Sequence, residues 1–329
     1  MRRAAPFGLL AGVLALAGLA GVLVGPAGIG PSQVLDALRG PGGDPVTRTI
    51  VLELRMPRVL GAALVGASLA VSGAVFQALL RNPLAEPYLL GVSSGAALGA
   101  VGAIVSGVAG LGAPVLPLAA LLGGLVAIAV VFSVASVAGR FDTRVLILAG
   151  VVVSAFFGAC ITLILTLAPA ERLRSAFFWT LGSLSGVSWP MVGVLAVYGI
   201  PASLGAWALG RNLDALALGE EAAAAVGTDV ERVKRSAYLL ASLLAAATVS
   251  VAGVIGFVGL VVPHAVRLLW GSSHRQLVPL AFLAGAVFLV LVDTAARAIA
   301  GPVEVPIGVV TAFLGVPFFL ALLRRRSAP

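Results

Sequence analysis

The residues that could carry chemistry are few. His264 and His274 are the only histidines, ten positions apart, and Cys160 is the only cysteine. A zinc site or an intramembrane protease needs paired histidines or a serine beside a histidine, and this spacing offers neither. His264 follows Pro263, and we expect it at a helix break, bonded to a freed carbonyl. Cys160 lies inside an apolar run, which excludes a disulfide framework and a cysteine metal site. Ser93-Ser94-Gly95 faintly resembles a Gly-x-Ser-Gly nucleophile, but small residues at helix spacing more often serve packing between membrane helices. A phosphate-binding loop needs Gly-x-x-x-x-Gly-Lys-Ser/Thr. The single lysine, Lys234, stands between Val233 and Arg235, so that motif is absent. No catalytic residue and no metal ligand set are expected, and any ATP that drives this protein must bind another chain.

Those residues sit in a chain that cannot be water-soluble. Of 329 residues, 60% are hydrophobic and only 10% charged, against about 25% charged in soluble domains. Mean hydropathy is +1.13. The 41 glycines fit helices that pack closely in lipid. A net charge of +8 raises the question of nucleic acid, but no basic face with interleaved aromatics exists. Arginines gathered at cytoplasmic helix ends explain the charge. Met1-Arg2-Arg3 and the apolar run that follows resemble a signal peptide; the run is long enough to span, and we read it as a retained first helix.

The fold class is therefore an all-α polytopic membrane protein, a single domain over 1–329. A span needs about 20 apolar residues, and such runs fall at 7–25, 59–80, 89–109, 115–138, 145–168, 190–209, 236–253, 255–270, 277–299 and 305–323. About ten transmembrane helices put both termini on one side. With the N-terminus inside, Arg2, Arg3, Arg81, Arg140, Arg144, Arg211, Arg232, Lys234, Arg235, Arg267, Arg275, Arg324, Arg325 and Arg326 are cytoplasmic. Arg39, Arg48, Arg55, Arg58, Arg172, Arg174 and Arg297 are then outside. Fourteen against seven favours N-in and C-in. Residues 173–188 read as amphipathic on the outer surface. Asp293 and Arg297, at helix spacing (i, i+4), form a structural pair, with Glu304 in the next turn.

Two loops exceed simple turns, the outer 26–57 and the cytoplasmic 210–235. The second carries helix formers on both sides of Gly219 and Gly227, which predicts two short helices along the inner face and a partner docked on them. No mid-membrane ionisable relay is evident, which weighs against the alternative of a stand-alone ion-coupled secondary carrier.

Together these motifs resemble the FecCD-type permeases, the membrane subunits of ABC importers for iron–siderophore, haem and vitamin B12. The resemblance runs through Arg55-Met-Pro-Arg58, Gln77, Arg81-Asn-Pro-Leu-Ala-Glu-Pro87, Leu90-Gly-Val-Ser-Ser-Gly95 and Phe178-Trp-Thr-Leu-Gly-Ser-Leu-Ser-Gly186. It continues in Gly256-Phe-Val-Gly-Leu-Val-Val-Pro-His-Ala-Val-Arg267, His274-Arg275, Pro306-Ile-Gly-Val-Val-Thr-Ala312 and Gly315-Val-Pro-Phe-Phe319. It implies the type II ABC importer permease fold and a homodimer enclosing one pathway in the cell inner membrane. It also implies two cytoplasmic ATPase subunits that hold ATP and Mg, and a periplasmic or lipid-anchored substrate-binding protein. The chain itself would bind no cofactor and no nucleic acid. The cargo implied is an iron chelate, siderophore or haem, with cobalamin the alternative inside the family.

By the same resemblance, Leu213, Leu216, Leu218, Gly219, Glu220, Glu221 and Gly227 belong to the ATPase-coupling loop. Arg55, Arg58 and Arg297 are expected to face outward and dock the binding protein, and Asn82, Leu84 and Thr143 to form the cytoplasmic gate. Gly301-Pro302-Val303-Glu304-Val305 departs from the family's Ala-Glu-Leu-Pro run, which bears on the turn beside Arg297.

Overall fold

The computed structural model describes residues 5–40, 44–136, 140–300 and 305–326, and among these the regular structure is entirely helical. Helix α1 (Ala5–Leu23) is followed by two short helices within the loop 26–57, α2 (Pro31–Arg39) and α3 (Pro45–Thr49). Asp44 starts α3, its carboxylate accepting from Thr47 N at 2.9 Å and Thr47 Oγ1 at 2.7 Å, as capping side chains do. From there the chain runs on through a π-helical turn, Ile50–Arg55, into α4 (Met56–Leu79). The helix over Pro45–Leu79 is thus continuous for 35 residues.

Helix α4 is the axis of the molecule, buried along nearly its whole length. Two glycine pairs let its neighbours approach. A Cβ on Gly66 would lie 2.2 Å from Gly285 O, and one on Gly73 would lie 1.8 Å from Gly259 O. With lipid on all sides there is little hydrophobic drive between helices, so backbone-to-backbone contact supplies the packing.

After a 3₁₀ turn at Pro87–Leu90 come α5 (Val92–Ser106), α6 (Val115–Ala135), α7 (Thr143–Leu167) and the short α8 (Ala170–Thr180). Next are α9 (Trp189–Ala208), α10 (Gly210–Ala217), α11 (Glu220–Ala225) and α12 (Val230–Ala252), then α13 (Val258–Trp270), α14 (His274–Ala300) and α15 (Ile307–Arg326). Seven helices are long and apolar enough to cross a membrane, and Val92–Ser106, Val258–Trp270 and Ile307–Leu320 are shorter apolar helices. Each apolar run in the sequence overlaps one of these ten.

Two details differ from expectation. Helix α12 starts at Val230, not 236, because Asp229 caps it through Arg232 N and its charged first turn continues the helix beyond the apolar run. Pro263 lies inside α13 without ending it; lacking an N–H, it leaves Gly259 O without a helical partner, and Gln77 Nε2 donates there at 3.2 Å. The break falls where the apolar runs 236–253 and 255–270 meet, as expected, at Gly253 (φ +67) and Phe257 (φ +68). A non-glycine residue in that region is strained. Phe257 is held there by its N–H, which donates 2.7 Å to the Glu86 carboxylate. Residues 301–304, including Glu304, lie outside the described residues.

The chain gathers its connections at two ends. At one, Trp207 Nε1 donates to Arg275 O at 3.1 Å and Ser273 Oγ to Asp214 at 3.0 Å, joining the ends of α9, α10 and α14. At the other, Trp189 Nε1 donates to Leu52 O at 2.9 Å.

Candidate functional site

At the first of these ends Thr143 lines one cavity with Leu218, Gly219, Glu220 and Glu221, whereas Asn82 and Leu84 lie beside it, next to the lining residue Arg81. Asn82 lies just beyond α4, where Arg81 adopts φ +48, and its Oδ1 accepts Leu84 N at 3.0 Å, so Asn82 and Leu84 share one tight turn. Thr143 opens α7, capped by Asp142, whose Oδ1 accepts Arg144 N at 2.7 Å. These hydrogen bonds hold the Asp142 carboxyl below its ordinary range. A cavity of about 970 Å³ is lined by Arg81, Thr143, Leu218, Glu220, Glu221 and Lys234, among others. One space therefore joins the helix end beside Asn82, the start of α7 and the short helices α10 and α11.

Those short helices are divided as their glycines dictate. Gly219 (φ +124) separates α10 from α11 and Gly227 (φ +81) ends α11, both in conformations that favour glycine. The side chains split by role. Leu213 and Leu216 are buried against the bundle, whereas Leu218 is 81% exposed and Val226 73%. The inward pair anchors the loop and the outward pair offers apolar contact to a partner. Glu221 and Gly227 are exposed beside them. Val226 lies within the loop expected to couple to a partner, although it was not singled out there by number.

Helix α10 is pinned by Asp214. Its Oδ1 accepts the His274 backbone N–H at 2.7 Å and lies 2.6 Å from His274 Nδ1. Burial acts to raise the Asp214 pKa, but the bonds from His274 and Ser273 outweigh it and hold the carboxyl below its usual value. Deeper in, Gln77 Oε1 accepts from Arg267 at 2.5 Å, and Gln77 Nε2 donates to Gly259 O at 3.2 Å. Tyr88 Oη accepts Ile255 N at 3.1 Å and donates to Ile255 O at 2.9 Å. Gln77, Glu86 and Tyr88 thus pin the segment after α4 to the break before α13, a role that none of them showed in sequence.

At the opposite end the three expected docking arginines are together, but their heads turn inward. Arg55 is only 5% exposed, and its Nη1 donates to Val22 O at 2.7 Å and Leu23 O at 2.9 Å. Arg58 pairs with Asp293 at 3.0 Å, and Asp293 pairs with Arg297 at 2.9 Å. Arg297 also donates to Val24 O at 2.5 Å and Gly21 O at 2.9 Å. The carbonyls at the end of α1 have no partners within their own helix, and these guanidinium groups supply them. The Asp293–Arg297 pair matches its expectation.

The serine and histidine candidates stay structural. Ser94 Oγ donates to Gly91 O at 2.9 Å, and His264 is buried inside α13.

With this geometry in place, the comparisons with known proteins fall into line. The profile of the FecCD transport family matches residues 13–325. The cobalamin import system permease protein BtuC of Halobacterium salinarum is 46% identical, over 87% of this chain and 76% of that one. The hemin transport system permease protein HmuU of Yersinia pestis is 41% identical over 84% of each. The Fe(3+) dicitrate transport system permease protein FecD of Escherichia coli is 40% identical over 84% and 85%. A solved inward-facing ABC transporter assigned to the metal-chelate type superposes with a TM-score of 0.86 at 32% identity, over 97% of this chain and 98% of that one. The chain belongs to the FecCD transport family. It is a multi-pass membrane protein of a family of transport permeases, not of catalysts.

Proposed function

We propose that this chain is the membrane-spanning subunit of a binding-protein-dependent ABC importer, two copies enclosing one pathway for an iron chelate, siderophore or haem. The observation that carries the reading is the inner cavity, where Thr143 and the chain beside Asn82 face the exposed α10–α11 platform. A partner seated on Leu218, Glu221 and Val226 has direct mechanical access to the mouth of the bundle. On this reading two separate ATPase subunits hold ATP and Mg and seat there. All ten apolar helices span, with both termini cytoplasmic, in the cell inner membrane, and residues 1–329 form one domain. The substrate-binding protein docks at the opposite end, where Arg55, Arg58 and Arg297 hold the rim in shape by clamping α1 to α14. Specificity then rests mainly in the binding protein, since nothing at either end of the bundle reads out a ligand.

Cobalamin is the second reading, favoured by the 46% identity to a cobalamin permease. Uptake into liposomes decides both questions. The chain assembled with its ATPase and binding protein should accumulate ferric siderophore or haemin only with ATP inside. Accumulation of cobalamin instead would select the second reading. Uptake by the chain alone, driven by an ion gradient, would reject the ATP-driven one.

A further inference from the structure

The only lysine in the chain is buried where the inner cavity meets the bundle. Lys234, on the first turns of α12, is 3% exposed, although its side chain is charged and nothing apolar requires it there. Its Nζ lies 3.1 Å from Glu220 Oε2 and 2.9 Å from Glu231 Oε1. The other oxygen of Glu231 accepts the backbone N–H of Phe141 at 2.6 Å. Phe141 is fully buried, its ring centroid 5.5 Å from that of Phe132 and 5.6 Å from that of Tyr238. Two residues further on, Thr143 begins α7.

These contacts form a continuous chain from Glu220, the first residue of α11, through Lys234 and Glu231 to the backbone that starts α7. We infer that Lys234 is a positioning residue that passes a displacement of α11 to the cytoplasmic start of α7. The inference rests on the reading that an ATPase seats on α10 and α11.

Each link suits the task physically. Charge-assisted hydrogen bonds are short and strong, and breaking one partner of a buried ion leaves an uncompensated charge. Glu220 cannot move away without depriving buried Lys234 of one of its two charge-assisted bonds, and Lys234 cannot move without drawing Glu231. Glu231 grips backbone, so its shift acts on the chain path at Phe141, whose packed ring prevents the motion from dissipating in a side-chain rotation. Residues joined in this way have discrete arrangements that two sites can bias together. Glu220 is partly exposed, with 39% of its side chain accessible, as befits the end that senses a partner.

The experiment uses the chain assembled with its ATPase, with Cys160→Ser and Thr143→Cys, so that the introduced thiol reports access at the start of α7. Maleimide labelling of that thiol should change about tenfold between nucleotide-free and ATP-analogue states. Lys234→Met should bring that change to less than about twofold, whereas Lys234→Arg should restore it, both with the ATPase still co-purifying. A full nucleotide response in a folded Lys234→Met assembly overturns the inference. If Lys234→Met does not fold, Glu220→Gln decides. It removes the outer link and leaves the Lys234–Glu231 pair, so a diminished response supports the relay and a full response overturns it. Failure of the parent assembly to bind the ATPase would instead reject the reading beneath, which keeps the two failures apart.

Discussion

The two ends of the bundle spend their charges in opposite ways. At the outer end Arg55, Arg58, Arg297 and Asp293 turn inward, and the guanidinium groups of Arg55 and Arg297 finish the carbonyls of α1. At the opposite end the charges line an open cavity, with Leu218 on its lining and both Leu218 and Val226 exposed. The difference teaches where motion is built in. Buried arginines on backbone carbonyls fix a helix end, whereas the platform over the polar cavity is seated on Leu213 and Leu216 and tied by a few ion pairs that a partner can pull on. Charge at an outer rim is usually read as a contact surface, and here the same residues hold the scaffold.

Substitutions can break or sharpen this contrast. The largest effect on stability belongs to Asp293→Asn, which strands Arg58 and Arg297 without their buried counter-ion. We expect a loss of about 3–5 kcal/mol, read as a large fall in thermal unfolding temperature in detergent or nanodiscs. Stability close to the parent would dissolve the clamp. Arg55→Met keeps an apolar stem but releases the carbonyls of Val22 and Leu23 at the end of α1, and should cost about 2 kcal/mol. Faster proteolysis or hydrogen exchange confined to α1 would show that the loss is local.

On the inner side the expected effects on stability are smaller. Asp214→Asn weakens the tie between α10 and α14 by about 1 kcal/mol, given the partial exposure of the pair. Because the Asp214 carboxyl titrates below its ordinary value when folded, its contribution is complete above the ordinary carboxylate range. It is lost as pH falls through the lowered value. An acid-unfolding profile should therefore separate the parent from Asp214→Asn above that range and converge below it. The smallest effect on stability is that of Leu218→Asp, within about 0.5 kcal/mol because the side chain is exposed, yet it should abolish ATPase binding in pull-down. A variant that unfolds would mean that Leu218 packs within this chain.

Much of the scaffold was legible beforehand, for a physical reason. Lipid demands long apolar runs, so each of the ten runs overlaps a helix. Gly219 and Gly227 marked the ends of α11 because only residues tolerant of positive φ turn the chain there. Asp293 and Arg297 were legible because one helix fixes their separation. What was not legible depends on contacts far apart in sequence. Nothing local says that Arg55 reaches back across 33 residues to Val22, or that Glu86 holds Phe257 in a strained turn 171 residues away. Lys234 showed only that a phosphate-binding loop was absent; its i, i+3 spacing from Glu231 was visible, but its burial was not.

Site-specific cross-linking tests the central claim, that the inner platform and not the outer rim is where an energy-supplying partner seats. Single cysteines would replace Leu218, Val226 and, on outer α2, Leu35 in a Cys160→Ser chain assembled with its ATPase. Leu218→Cys and Val226→Cys should cross-link to the ATPase, and Leu35→Cys should not. Cross-links from Leu35→Cys, or none from the two inner positions in an assembled complex, would contradict it.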